Sequence, residues 1–201
     1  MADFEAGMLV DKERVMALDG EGRAAFAQAD FSAARRAFEQ AAQACRAAGW
    51  REDLVYQLLQ ITQAMAHEPG YDPSAAQALL EEALEAARAT GEPRWILPVQ
   101  INRARLDLQE GRYAECLRLV QAGLPIALDA GFDDFAGSLV QFAAFACVGL
   151  ERFEAALRLN SAAQAQRDRE GAVVSGRAVR EAMERNLAPA RKSFPAGKRA
   201  A

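Results

Sequence analysis

Between residues 31 and 48 the apolar positions keep to one side of a helix. Phe31, Ala34, Phe38, Ala41 and Cys45 recur at i, i+3, i+7, i+10 and i+14, with polar residues between them. That period predicts an amphipathic helix burying a single stripe. The pattern returns along the chain and predicts companion helices near 73–90, 113–130 and 153–170. Intervening helices are expected near 51–67, 93–109 and 133–149, with Pro93 suited to the first position of the second of these. An N-terminal helix near 8–28 would complete the first pair, weakened by Gly20 and Gly22. A last helix at about 173–188 would cover the final pair as a cap.

Two rulers set the register. Gly49, Gly91, Gly131 and Gly171 fall 42, 40 and 40 residues apart, each closing an alanine-rich stretch. Phe31, Tyr71, Tyr113 and Phe153 run out of phase with them, separated by 40, 42 and 40. A fixed period of this size marks stacked helical units, none of which can bury its apolar face without a neighbour. The aromatic-to-glycine distance is 18 residues in three units and 20 in the second, which places a two-residue insertion near Asp72-Pro73. Small residues hold fixed offsets from the aromatic: Gly22, Thr62, Ala104 and Ala144 nine before it, and Ala34, Ser74, Cys116 and Ala156 three after. Ten after it stand Ala41, Gly123 and Ala163, with Ala83 filling that role in the second unit. Small side chains at a crossing let two antiparallel helices approach closely, and the terminal glycines suit left-handed helix ends.

Three positions depart from the pattern. Asn160 stands where Phe38, Leu80 and Val120 occur in the other units, so a hydrogen bond or looser packing is expected there. Pro125 predicts a kink after Leu124, and Pro98 a bend or a delayed start in its helix.

The array resembles the tetratricopeptide repeat family, most clearly in Ala104…Gly111-Arg112-Tyr113…Cys116 and Ala144…Phe153-Glu154-Ala155-Ala156-Leu157. The 40-residue period exceeds the family's usual 34 and is similar to the longer MalT-like repeats of bacterial LuxR-type and ATPase regulators. The resemblance implies an all-α fold, a right-handed α-solenoid of about four antiparallel helix hairpins closed by a C-terminal capping helix. Units would span about 8–49, 50–91, 92–131 and 132–171, with the cap at 172–190 and a basic flexible tail at 191–201. No Gly-x-x-x-x-Gly-Lys-Ser/Thr phosphate loop occurs, and no length remains for a separate DNA-binding module.

Composition narrows the function. Half the chain is apolar, much of that alanine, which favours closely spaced helices. The net charge of −4 disfavours direct nucleic-acid binding through bulk charge, the basic Arg191, Lys192, Lys198 and Arg199 being confined to the end. Cys45, Cys116 and Cys147 lack metal-like spacing and read as buried thiols of a reducing cytosol. Met-Ala-Asp-Phe-Glu has neither a basic leader nor an apolar core, so no signal peptide is expected, and the apolar Leu139–Leu150 stretch is too short for a membrane span. A cytoplasmic protein without cofactor or metal is expected.

Chemistry is sparse. His67, the single histidine, lies at a helix terminus where interaction with free carbonyls is the ordinary role. Adjacent carboxylates such as Glu81-Glu82 and Asp133-Asp134 diverge on a helix and read as solvated faces or helix starts. No acid–base pair is indicated by spacing, so a non-enzymatic scaffold leads and a small hydrolase or transferase using His67 trails. In hairpin arrays of the resembling type, the first helices line a concave side. Tyr56, Leu59, Gln63, Ile101, Arg105, Leu108, Gln141 and Phe145 are the residues expected to face it, with Asp19, Arg23, Phe26 and Ser138 extending the surface. Mixed arginine, amide, tyrosine and aliphatic chemistry suits a peptide or protein segment, and the resemblance implies a place in bacterial transcription regulation. Self-association into a homodimer or larger assembly through the open repeat ends is the alternative.

Overall fold

The computed structural model describes the backbone of residues 2–170 and 177–193, and the side chains of 12–168 and 184–193. Among the described residues the chain is helical throughout: α1 (Ala2–Ala27), α2 (Phe31–Ala48), α3 (Arg51–Met65), α4 (Pro73–Thr90), α5 (Pro93–Gln109), α6 (Tyr113–Asp129), α7 (Asp133–Gly149), α8 (Phe153–Glu170) and α9 (Arg177–Ser193). The all-α expectation holds, with helix limits close to those the periodicity predicts. Of the expected tail at 191–201, Arg191 and Lys192 stand in the last turn of α9, while residues 194–201 and Gly171 lie outside the described residues.

Local chemistry sets the boundaries. The Asp30 carboxylate accepts from the Ala33 N–H at 2.9 Å to start α2, and Asp72 accepts from Ser74 N–H at 2.9 Å to start α4. Each satisfies a donor that the first helical turn leaves without a partner. Gly49 and Gly91 close these helices at φ 71° and 72°, a left-handed geometry that costs a side-chain-bearing residue more. The inserted residues sit in the longer α3–α4 turn, which delays α4 until two residues past Tyr71. One anchor therefore moves. Ser74 is exposed, and Ala76 takes the buried place that Ala34 holds in α2. Prolines 98 and 125 are both accommodated inside continuous helices.

The structure divides within α5 into two compact units, residues 1–102 and 103–201. In the first, α1 packs on α2, α2 on α3 and α3 on α4. Short turns between helices packed side by side require the neighbours to run antiparallel. Its interior is filled by Phe38, Val55, Leu58, Ile61, Leu80, Leu97 and Val99, all essentially inaccessible. Gly22, expected to weaken α1, instead makes room: a Cβ there would overlap the Phe38 ring. The small residue and the large one form a matched pair.

In the second unit α6 packs on α7, α7 on α8, and α9 covers both α8 and α7. Here Tyr113 lies over Gly149, where a Cβ would again collide with the ring. Leu187 and Ala190 of α9 are buried, Ala190 in a cluster with Cys147 and Ala156 flanked by Leu117, Val148, Phe153, Leu157 and Leu159. Asn160 makes the hydrogen bond its polarity calls for, accepting from Gln141 Nε2 at 3.3 Å.

Candidate interaction surfaces

In the first unit, Tyr56, Gln60, Gln63 and His67 are spaced i, i+4, i+7 and i+11 on α3. Such spacing puts them on one helix face. Tyr56 and Gln60 are half-buried and Gln63 and His67 exposed, while Leu54, Val55, Leu58 and Ile61 turn into the core. Leu59 and Ile101 are half-buried as well. On α1 nearby, Asp19 Oδ1 accepts from Gln57 Nε2 at 3.4 Å, and Asp19 Oδ2 lies 3.9 Å from Arg23 Nη1. Burial and the Asp19 charge push the Tyr56 phenol above its ordinary value, against the smaller pull of Arg23. Of the eight residues expected to face the concave side, four thus belong to this unit: Tyr56, Leu59, Gln63 and Ile101.

His67 has an aromatic setting rather than a purely helix-end one. Its ring stacks on Phe31 at 4.6 Å and 18°, and meets the Phe26 edge at 5.6 Å. Beside it Arg35 bridges Glu68 at 3.0 Å and Glu39 at 2.9 Å. The repeat itself contains the signal for this contact. Phe31 precedes His67 by 36 residues, and Tyr113 precedes the Gly149 it covers by the same number.

The second unit treats its predicted residues differently. Arg105, Leu108 and Phe145 are half-buried, but Gln141 is only 6% exposed. Its amide is committed within the unit, to Asn160 and to Arg167 Nη1, which donates to Gln141 Oε1 at 3.1 Å. That removes Gln141 from the surface a partner could reach. The half-buried residues of α7 include Phe135, Ser138, Phe142 and Phe145, again at helical spacing, besides Val140 and Val148. Phe135 also makes an edge contact with Phe132 at 5.8 Å. At the α5–α6 turn the buried Asp107 accepts from Arg112 Nε at 2.7 Å.

The cysteines are withdrawn from solvent. Cys45 and Cys116 are fully buried, and desolvation raises their thiols to about 11 and about 12. Both are protonated and inert near neutrality. Among the described residues no group of three His, Cys, Asp or Glu side chains could hold a metal ion, and no helix is long and apolar enough to cross a membrane. A cavity of about 390 Å³ in the first unit is lined by Cys45, Arg46, Leu54, Glu82 and Glu85 among others. Another of about 880 Å³ in the second lies over Arg152, Phe153, Arg158 and Ser193. Neither includes a predicted surface residue. Compared with known proteins, the chain matches no family model and no curated protein.

Proposed function

We propose that this chain is a non-catalytic interaction module of the tetratricopeptide-like kind, arranged as a right-handed solenoid and binding a segment of a protein partner. The observation that carries the reading is the part-exposed side of the first helices. After packing is satisfied, α3 still presents Tyr56, Gln60 and Gln63, and α7 still presents Phe135, Phe142 and Phe145. Among the described residues nothing hydrogen-bonds the Gln60 or Gln63 side chain, which leaves whole amides for a peptide backbone. Rigid helices offering aromatic and amide groups bind segments with little ordering cost on their own side.

The experiment is co-purification from the native cell with tagged wild-type, Gln63→Ala and Arg105→Ala chains. One partner is expected with the wild type and much less with each variant, at unchanged melting temperature. Equal recovery with both variants overturns the reading. A melting temperature lowered in step with recovery would make the two residues structural.

A further inference from the structure

The geometry points to a lysine-accepting pocket between α1 and α3, formed by Asp19, Gln57 and Tyr56. The inference rests on the first unit being a partner-binding face and adds the chemistry of the partner. Asp19 is four-fifths buried, with its side chain 20% exposed. A carboxylate withdrawn that far from water needs strong partners. Among the described residues it has one long hydrogen bond, 3.4 Å from Gln57 Nε2, and one distant cation, Arg23 at 3.9 Å. Arg23 is itself 69% exposed and so only loosely placed.

Gln57 carries the second observation. It is 2% exposed, and its Oε1 has no donor among the described residues. Exchanging the amide's O and N would turn its contact with Asp19 into an acceptor–acceptor clash, so the orphaned atom is an acceptor. Tyr56, the adjacent residue on α3, feels the Asp19 charge and adds a phenol oxygen and a ring face. The pocket thus offers a carboxylate, an amide oxygen and a phenol oxygen as acceptors, and the amide oxygen lacks a donor among the described residues. An ammonium group supplies three donors from one compact charge, whereas a planar guanidinium would require acceptors in its own plane. The wider field agrees. Residues 1–102 hold nine Lys or Arg against sixteen Asp or Glu, a net of −7, which attracts a basic segment. The occupant is a lysine side chain of the bound partner segment, displacing the loose Arg23.

The test is an NMR titration of the full-length ¹⁵N-labelled chain with acetyl-Gly-Lys-Gly-amide, and with the norleucine peptide that lacks only the ammonium. Saturable shifts at the Gln57 side-chain amide and the Tyr56 backbone are expected with lysine and not with norleucine. Asp19→Asn should weaken the lysine peptide about tenfold, the ordinary worth of one charge-assisted bond. Because it neutralises a poorly served charge, it should leave the melting temperature equal or higher. Arg23→Ala, which removes the competitor, should tighten binding. Equal shifts from norleucine, undiminished binding to Asp19→Asn, or shifts confined to the acidic α4 surface at Glu81 and Glu85 each overturn the pocket. If the native partner is still captured by Asp19→Asn but lost with Gln63→Ala, the pocket falls and the interaction module stands.

Discussion

The two units are built on one repeat yet place their large apolar side chains in opposite ways. In the first, Phe38, Leu58, Ile61, Leu80 and Leu97 are inside, and the half-exposed side of α3 carries Tyr56 and Gln60 beside Leu59 and Met65. In the second, the buried positions are mostly alanine with Leu106, Val120, Leu139 and Leu187, while Phe135, Phe142 and Phe145 of α7 are left partly in solvent. Charge divides along the same line: residues 103–201 carry fifteen Lys or Arg and twelve Asp or Glu, a net of +3, against −7 in residues 1–102. Equivalent helices therefore serve unequal ends. The first unit draws its stability from side chains that fill its interior. The second relies on close backbone approach and keeps aromatic area available for contact.

The largest test of this contrast compares two phenylalanine truncations. Phe38→Ala should cost about 3–5 kcal/mol, since it empties a fully buried site shaped by Gly22. Phe145→Ala should cost well under half of that, because a half-exposed ring has less burial to lose. Urea denaturation of both variants reads the difference. Equal losses would mean that the α7 phenylalanines are core after all, and would remove the apolar surface from the second unit.

A middle-sized effect concerns the polar substitution in α7 and α8. Gln141 and Asn160 occupy positions filled by Leu59 and Leu80 in the second hairpin. Together they replace an apolar pair by a hydrogen-bonded one, which Arg167 extends. Gln141→Leu alone should cost about 1–3 kcal/mol by stranding Asn160 and Arg167. Adding Asn160→Leu should recover part of that loss, giving a favourable coupling in the double-mutant cycle. Additive losses would show that the two amides do not act as a pair.

Much of this was legible before any coordinates. Helix limits followed from apolar period and glycine ends, both of which are local; the aspartate caps of α2 and α4 add to them in the structure. Small residues at the crossings were legible too, because stacking repeats them at fixed offsets. What could not be read was which residue takes up each small space. Gly22 looked like a helix weakness until Phe38 was seen against it, and Ser74 looked like an anchor until the insertion proved to lie before Ala76. Gln141 looked like a surface amide because position on a helix face does not reveal a hydrogen bond to Asn160 one helix away. The Asp19–Gln57 contact escaped for the same reason, spanning 38 residues between side chains of no shared motif.

The smallest effect lies in the turns that precede each second helix. Two residues before the aromatic, the backbone is left-handed in both units: Ala29 at φ 60° ahead of Phe31, Gly111 at φ 71° ahead of Tyr113, and Glu151 at φ 58° ahead of Phe153. Only glycine takes this conformation without a steric cost from Cβ. Glu151 is exposed, so Glu151→Gly should relieve strain without losing packing and raise stability by about 0.5–1 kcal/mol. Ala29→Gly should do the same in the first unit, and Gly111→Ala should lose a similar amount. Midpoints of urea denaturation resolve changes of this size. If Glu151→Gly instead lowers stability, the turn is held by the glutamate side chain, and the two units differ in their turns as well as in their cores.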